Sequence, residues 1–300
     1  MRLAHAQGAD VVVPYALPQF GPVSTCLRWL QMEAVLASDA RQAHVAWERA
    51  DAFIRHVAAG AQTLIGQAIA WSWITRHQVL LAQWAARQPP GDGALPAAWL
   101  KPYPERILQP RFWMAAESHF GRETTADIGN RSEAMFGAEP NPLQRWAGLL
   151  SLGYLPELTR QMLDEQWLAQ VRAQGELQGA ALARSARSEP EPEPETMSGW
   201  SAMRWRNTVG GILVDVARPH FRPYVLRQAD VALYQTALGL SQQLNGLPAA
   251  ERLARLQGQA LEVGIRERLS LEGDALLIRT WRGDAEPAES APVRFPLRPA

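Results

Sequence analysis

Apolar residues recur at helical spacing through three consecutive segments between Pro22 and Arg87. In the middle segment Ala43, Ala46, Ala50, Phe53 (or Ile54) and Val57 share one face, while Arg41, His44, Glu48, Asp51 and Arg55 fall elsewhere. With 3.6 residues per turn, that spacing predicts amphipathic helices laid against neighbours. The first helix is expected over 24–37, with Ser24 or Thr25 as N-cap, and the second over 40–58, opened by Ser38-Asp39 and closed by Gly60. The third, over 61–86, carries Ile65, Ile69, Trp73, Leu80 and Trp84 along a seam, with Leu64, Ala68, Trp71 and Val79 beside it. Such a helix is buried on most sides, and Gln88-Pro89-Pro90-Gly91 stops it.

The texture changes from Pro89 to Pro142, where prolines alternate with Trp99, Tyr103, Phe112, Trp113 and Phe120. Such a segment drapes over a helical core and pins itself by aromatic burial, or it lines a cleft. Helices resume over 142–151 and 156–173, the latter with Leu158, Met162, Leu163, Trp167 and Val171 in phase. The alternating Pro/Glu run Ser188–Thr196 can form neither helix nor sheet, and reads as a linker or, preferably, a disordered loop within one domain. Beyond it Val209, Ile212, Leu213 and Val216 mark a short helix, 222–244 a long one with Pro223 in its first turn, and 247–258 another. Leu269–Leu271 and Leu276–Trp281, joined by Glu272-Gly273-Asp274, read as a small hairpin. The expected fold is therefore mainly α: a compact multi-helix assembly of helical hairpins with a small C-terminal β-hairpin. The expected organisation is an irregular start (1–21), a helical region (22–186) with the Pro/aromatic insert at 89–142, and the acidic loop (187–198). Helices plus the hairpin (199–285) complete the same domain, and an irregular tail follows (286–300).

Composition narrows the function classes more than it names one. Thirty basic residues balance thirty acidic ones in 300, which removes the electrostatic reason to expect nucleic acid as a partner. A 47% hydrophobic chain of this length can bury a substantial core. Cys26 is the only cysteine, so neither an intrachain disulfide nor a cysteine zinc cluster can form; among Leu27, Leu30 and Ala34 it is expected to be a buried, small hydrophobe. The stretch 61–86 is interrupted by Gln67, Arg76, His77 and Gln78, which argues for a core helix over a membrane span. Met1–Gly21 lacks the apolar run of a signal peptide.

Chemical signatures are mostly missing: the sequence has no glycine-rich phosphate loop, no G-x-S-x-G elbow and no H-E-x-x-H pair. His44 and Glu48 share a helix face at i,i+4, but beside Asp51 and Arg55 they read as a solvated polar face rather than metal ligands. His77, continuing the third-helix seam, reads as a hydrogen-bonded core histidine. Arg282-Gly283-Asp284 reads as the turn ending the last strand. No metal site and no cofactor are expected.

The densest constellation follows the acidic tract. Asn207, Gly210 and Gly211 precede Ile212 and Leu213; Tyr224, Arg227 and Asp230 then repeat every third residue. On a helix these place a phenol, a guanidinium and a carboxylate along one line, able to hold an anionic ligand or a partner helix. The structural alternative makes Arg227 and Asp230 a local ion pair, Asn207 a cap and Gly210 a close-packing position. Asn207, Tyr224, Arg227 and Asp230 are the candidate binding residues, with no catalytic set.

The pattern N-x-x-G-x-[IL]-L followed by Y-x-x-R-x-x-D, here Asn207–Leu213 and Tyr224–Asp230, resembles a set of uncharacterised bacterial helical proteins. The stretch Leu27–Leu81, with Leu64-Ile65-Gly66, is similar to their amino-terminal half, although Thr208 stands where they are expected to have proline. Those proteins often carry an amino-terminal membrane anchor, so the resemblance implies an envelope-facing soluble domain. The chain as written carries no such anchor; membrane association is expected only through one lying outside it, and the chain as written is expected to be cytoplasmic. Amphipathic helices, twelve tryptophans and the lack of a catalytic set make a non-enzymatic binding or scaffold protein with a protein partner the leading expectation. The competing one is an enzyme or small-ligand receptor with a pocket near Tyr224, Arg227 and Asp230.

Overall fold

Helix is the dominant state because most apolar positions of this chain recur at three- and four-residue spacing, and a computed structural model realises that pattern as a mainly α fold with a small antiparallel sheet. It describes residues 2–4, 10–12, 19–136, 155–188, 207, 210, 211, 214, 221–286 and 290–300, giving the backbone alone for 2–4, 10–12 and 124–136. Two compact units divide between Ile54 and Arg55.

The first unit, Met1–Ile54, opens with an antiparallel strand pair, β1 (Arg2–Ala4) and β2 (Asp10–Val12), where an irregular stretch is expected. Helix α1 (Phe20–Leu36) begins four residues before Ser24. Thr25 does not cap it; its hydroxyl donates to the Gly21 carbonyl inside the first turn, at 3.0 Å. Helix α2 (Ala40–Gly60) is opened by Asp39, whose carboxylate accepts from the Gln42 N–H at 2.8 Å. Its buried face is Ala43, Ala46, Trp47, Ala50 and Ile54, so Ile54 rather than Phe53 points inward. Cys26, expected to be buried, is exposed, because the buried stripe of α1, Leu27, Gln31 and Ala34, lies about a third of a turn round the helix from it.

The second unit, Arg55–Ala300, is organised by α3 (Leu64–Arg87) and α8 (Arg222–Leu244), which lie against each other. Thr63 caps α3 by accepting from Gly66 N at 3.1 Å. The buried stripe of α3 runs through Leu64, Ala68, Trp71, Ile74, Gln78, Leu81 and Ala85, residues partly expected beside the seam; of the seam itself Trp84 is buried and Ile65 is exposed. The two stripes differ by a single residue of rotation, which an almost uniformly apolar helix does not resolve in sequence. Between α3 and α8 in sequence come α4 (Glu105–Leu108), α5 (Arg111–Phe136), α6 (Pro156–Gln174) and α7 (Gly179–Ser188). The Pro/aromatic insert does bury Trp99, Tyr103 and Trp113, yet it also contains the 26-residue α5, a helix the sequence pattern does not mark. Pro110 sits just ahead of that helix and accepts the Met114 N–H in its first turn, a place where proline costs nothing. The expected helix over 142–151 and the acidic tract beyond Ser188 lie outside the described residues, as does most of the expected helix at 209–216.

Helix α8 matches its expected bounds and is buried on nearly every side through Val225, Leu226, Ala229, Val231, Leu233, Ala237 and Leu240. After α9 (Ala249–Gly258) and α10 (Val263–Arg266), strands β3 (Leu269–Leu271) and β4 (Ala275–Ile278) form the expected hairpin around Gly273, whose φ of 55° suits glycine. The tail is not irregular throughout: β5 (Val293–Pro296) pairs antiparallel with β4, Leu276 opposite Phe295. Phe295 meets Tyr234 of α8 edge to face, with ring centroids 5.9 Å apart.

One buried polar node fastens this unit. The Ile107 carbonyl accepts from Trp71 Nε1 at 3.0 Å and from Gln228 Nε2 at 3.1 Å, while Gln228 Oε1 accepts from Trp113 Nε1 at 3.0 Å. Four helices meet there with all of these groups satisfied. Replacing Gln228 by Leu strands the Trp113 N–H and should lower stability by about 1–3 kcal/mol in urea unfolding. A loss below about 0.5 kcal/mol would show that the node contributes little.

Candidate functional site

Two of the four candidate residues, Asn207 and Asp230, are bonded within the protein at separate places. Asn207 is fully buried. Its Oδ1 accepts from Leu155 N at 2.8 Å, ahead of α6, and its Nδ2 donates to Thr159 Oγ1 at 2.8 Å. Its carbonyl accepts from Gly211 N at 2.8 Å, opening the helical residues 210 and 211. Asn207 is thus a capping strut with its amide consumed by protein. Gly210 is the close-approach position the sequence suggests: a Cβ there would overlap Thr159 Oγ1 and the Asn207 amide.

Asp230 is buried in α8 and reaches across to the loop after β4. Its Oδ1 accepts from Trp281 N at 2.7 Å and its Oδ2 from Arg282 N at 3.4 Å, fixing the start of a 3-10 turn at Arg282–Asp284. Burial pushes the carboxyl up to about 7, opposed by those two backbone N–H groups and by the charges of Arg282 and Arg268. No hydrogen bond or ion pair joins Tyr224, Arg227 and Asp230 to one another; Tyr224 and Arg227 are half-buried, and Arg227 Nε is out of solvent without an acceptor. The local Arg227–Asp230 pair therefore does not form, because Asp230 is spent on the backbone of the turn.

Around that turn lies an ionic cluster that sequence spacing does not reveal, since its members come from α7, the strand hairpin and the turn itself. Arg268 donates both η nitrogens to the Asp284 carboxylate, and Arg187 lies 3.6 Å from the same group. Arg268 holds the Asp284 carboxyl below its ordinary value, while burial and Arg268 lower Arg187. Partly exposed pairs of this kind add little stability singly; their effect is to fix the turn.

His77 is the core histidine expected. It is wholly buried, and burial followed by the charge of Arg55 lowers its pKa to about 3, so it is neutral at physiological pH. His44 is half-buried beside exposed Glu48, and among the described residues no group of three metal-ligating side chains forms. Among the same residues, no helix is long and apolar enough to cross a membrane.

The surface that sequence reasoning did not single out lies in the first unit. On α1, Trp29 is 66% exposed, and Met32, Val35 and Leu36 are also exposed, as is Val45 on α2. Steps of three, four and seven residues put Trp29, Met32 and Leu36 in one row. Where α1 turns into α2, a groove of about 800 Å³ is lined by Glu33, Leu36, Asp39, Arg41, Gln42 and Val45. The signal was present: α1 is apolar on more of its circumference than one buried stripe requires. Glu33 on its rim is held by Arg49 at 2.9 Å.

No family model, curated protein or solved structure matches this chain.

Two outcomes test these assignments. Folded Asp230 keeps a proton that the unfolded chain releases between pH 3.8 and about 7, so stability from this group falls as pH rises through that window. Asp230→Asn keeps an oxygen for Trp281 N, should flatten that part of the stability–pH curve, and should be at least as stable as the parent at pH 8 in urea unfolding. A parent curve that instead rises over the window would contradict the buried, backbone-bonded carboxylate. Gly210→Ala should cost about 1–3 kcal/mol by the same measurement, from overpacking against Thr159 and Asn207.

Proposed function

We propose that this protein is a non-enzymatic binding or scaffold protein that docks a protein partner on the exposed apolar row of α1. The observation that carries this reading is the solvent exposure of Trp29, Met32 and Leu36 on one helical face, leading into the groove beside Val45. Soluble proteins seldom leave a tryptophan, a methionine and a leucine together in water on one line unless that line is used. Covering Trp29 or Leu36 would contribute about 1.5–3 kcal/mol each, before the costs of association are met.

The shape favours a helix over a small molecule. The row from Trp29 to Leu36 extends about 10 Å along α1, at 1.5 Å per residue. Anchors at i, i+3 and i+7 are the spacing by which one amphipathic helix meets another. The groove itself is rimmed by carboxylates and one arginine, so it offers a partner polar edge contacts around an apolar centre. The competing small-ligand reading at Tyr224, Arg227 and Asp230 draws no support from an aspartate already bonded to two backbone N–H groups.

A photo-crosslinking amino acid placed at Trp29, Met32 or Leu36 in cells should give one discrete protein adduct of common mass, lacking when the probe is at exposed Glu48 on α2. Trp29→Ala should then weaken the purified complex by at least about tenfold, as truncation of a central aromatic anchor does. Equal adducts at all four positions would sink the proposal. Flotation with anionic liposomes that depends on Trp29 would replace the protein partner with a membrane surface.

A further inference from the structure

We propose that a second site, in the unit Arg55–Ala300, takes the carboxylate group of a small organic acid. It is a cavity of about 230 Å³ where the loop after α3 meets the end of α8 and the tail after β5, lined by Gly91, Gly93, Leu95, Gln242, Asn245 and Arg298. This site is independent of the α1 surface and of the proposed function.

Its donors are fixed and short of acceptors. The backbone of Arg298 is held on both sides: its N–H donates to Asn245 Oδ1 at 2.8 Å, and its carbonyl accepts from Gly246 N at 3.0 Å and from Arg252 Nη2 at 2.7 Å. Arg252 is itself buried and paired with Asp274 at 2.6 Å, so the anchor is rigid. The Arg298 guanidinium reaches back across the cavity, where Nη1 donates to the carbonyls of Gln88 and Pro89 at 3.3 and 3.2 Å. Among the described residues no carboxylate pairs with it, which leaves a half-buried cation whose Nη2 and Nε make no hydrogen bond to them. Gln242 also lines the cavity, and its Oε1 accepts from Leu95 N at 3.2 Å, which orients the amide.

Two glycines shape the loops that border the cavity. Gly246 has a φ of 74° and would bring a Cβ within 3.3 Å of the Arg298 guanidinium. At Gly93 a Cβ would overlap the Ala85 carbonyl, so the loop can close on α3 only without a side chain there. The result is a concave site with the Arg298 guanidinium on its wall and Gln242 beside it. A planar monoanion accepts from the guanidinium through parallel N–H groups. A single cation, with Asp92 exposed in the same loop, disfavours a phosphate dianion. The volume accommodates an acid of modest size rather than a peptide segment.

The test uses the full chain, with acetate, glutarate and benzoate as probes and inorganic phosphate and chloride as references at matched ionic strength. At least one carboxylate should raise the thermal midpoint saturably, on the order of 3 °C at tenfold excess over half-saturation, with matching heats in titration calorimetry. Arg298→Met should abolish the response. Because that change also removes the bonds to Gln88 and Pro89, Gln242→Glu supplies the second arm: it keeps an acceptor for Leu95 N and places an internal carboxylate against Arg298. That variant should fold, show a raised midpoint without any ligand, and no longer respond to the probes. Absence of any carboxylate response in the parent, an undiminished response in Gln242→Glu, or a response to phosphate alone would each overturn the proposal.

Discussion

The second unit depends on satisfying indole and amide groups where four helices converge. Trp71 and Trp113 bring large apolar area into the core, and each carries one N–H that must find an acceptor once water is gone. The Ile107 carbonyl and the Gln228 side chain supply those acceptors. That requirement fixes the rotation of α3 and α8 and places the short α4 between them, because its terminal carbonyls are free for side chains to reach. The pattern recurs at the edges of the same core: Gln235 accepts from Tyr103 N and Gln242 from Leu95 N, so three glutamines of α8 stitch down the segment that follows α3. Helix α8 thereby also satisfies backbone groups of the segments packed against it.

The same logic explains why the residues that look most chemical are structural. Asn207 and Asp230 stand out in sequence as polar groups among apolar ones, and burial of such groups demands partners. Each finds them in backbone N–H groups at the start of a helical segment, Leu155 N for Asn207 and Trp281 N for Asp230. Asp230 retains a raised pKa because two backbone donors and nearby arginines do not fully replace water. Function is better sought where groups are left without protein partners, as the apolar row of α1 is in one sense and the Arg298–Gln242 wall in another.

Much of the fold was legible. Helix α8 matches its expected bounds because Pro223 opens it and Val231, Tyr234 and Leu238 recur at helical spacing, and the β3–β4 hairpin follows from Glu272-Gly273-Asp274 between two apolar runs. What was hidden has physical causes. The inward stripe of α3 is ambiguous when nearly every position is apolar, and Ile65, in phase with the expected seam, faces water. Helix α5 is obscured by the prolines before it and by a polar, weakly periodic sequence. Strand β5 is a short run amid prolines, defined only by pairing with β4. Of the two surfaces now favoured, α1 carried a visible surplus of apolar residues, whereas Arg298 lies over fifty residues from Asn245 and Gln242 in sequence, and no spacing rule joins them.

The central claim is that α8, pinned by its glutamines, is the buried axis of the second unit. Hydrogen exchange resolved by residue tests it most directly. Amides from Leu226 to Leu240 should exchange only through global unfolding and be the slowest in that unit, with those of α9, which buries only Arg252, exchanging much faster. Amides of α8 that exchange as fast as those of α9 would contradict it.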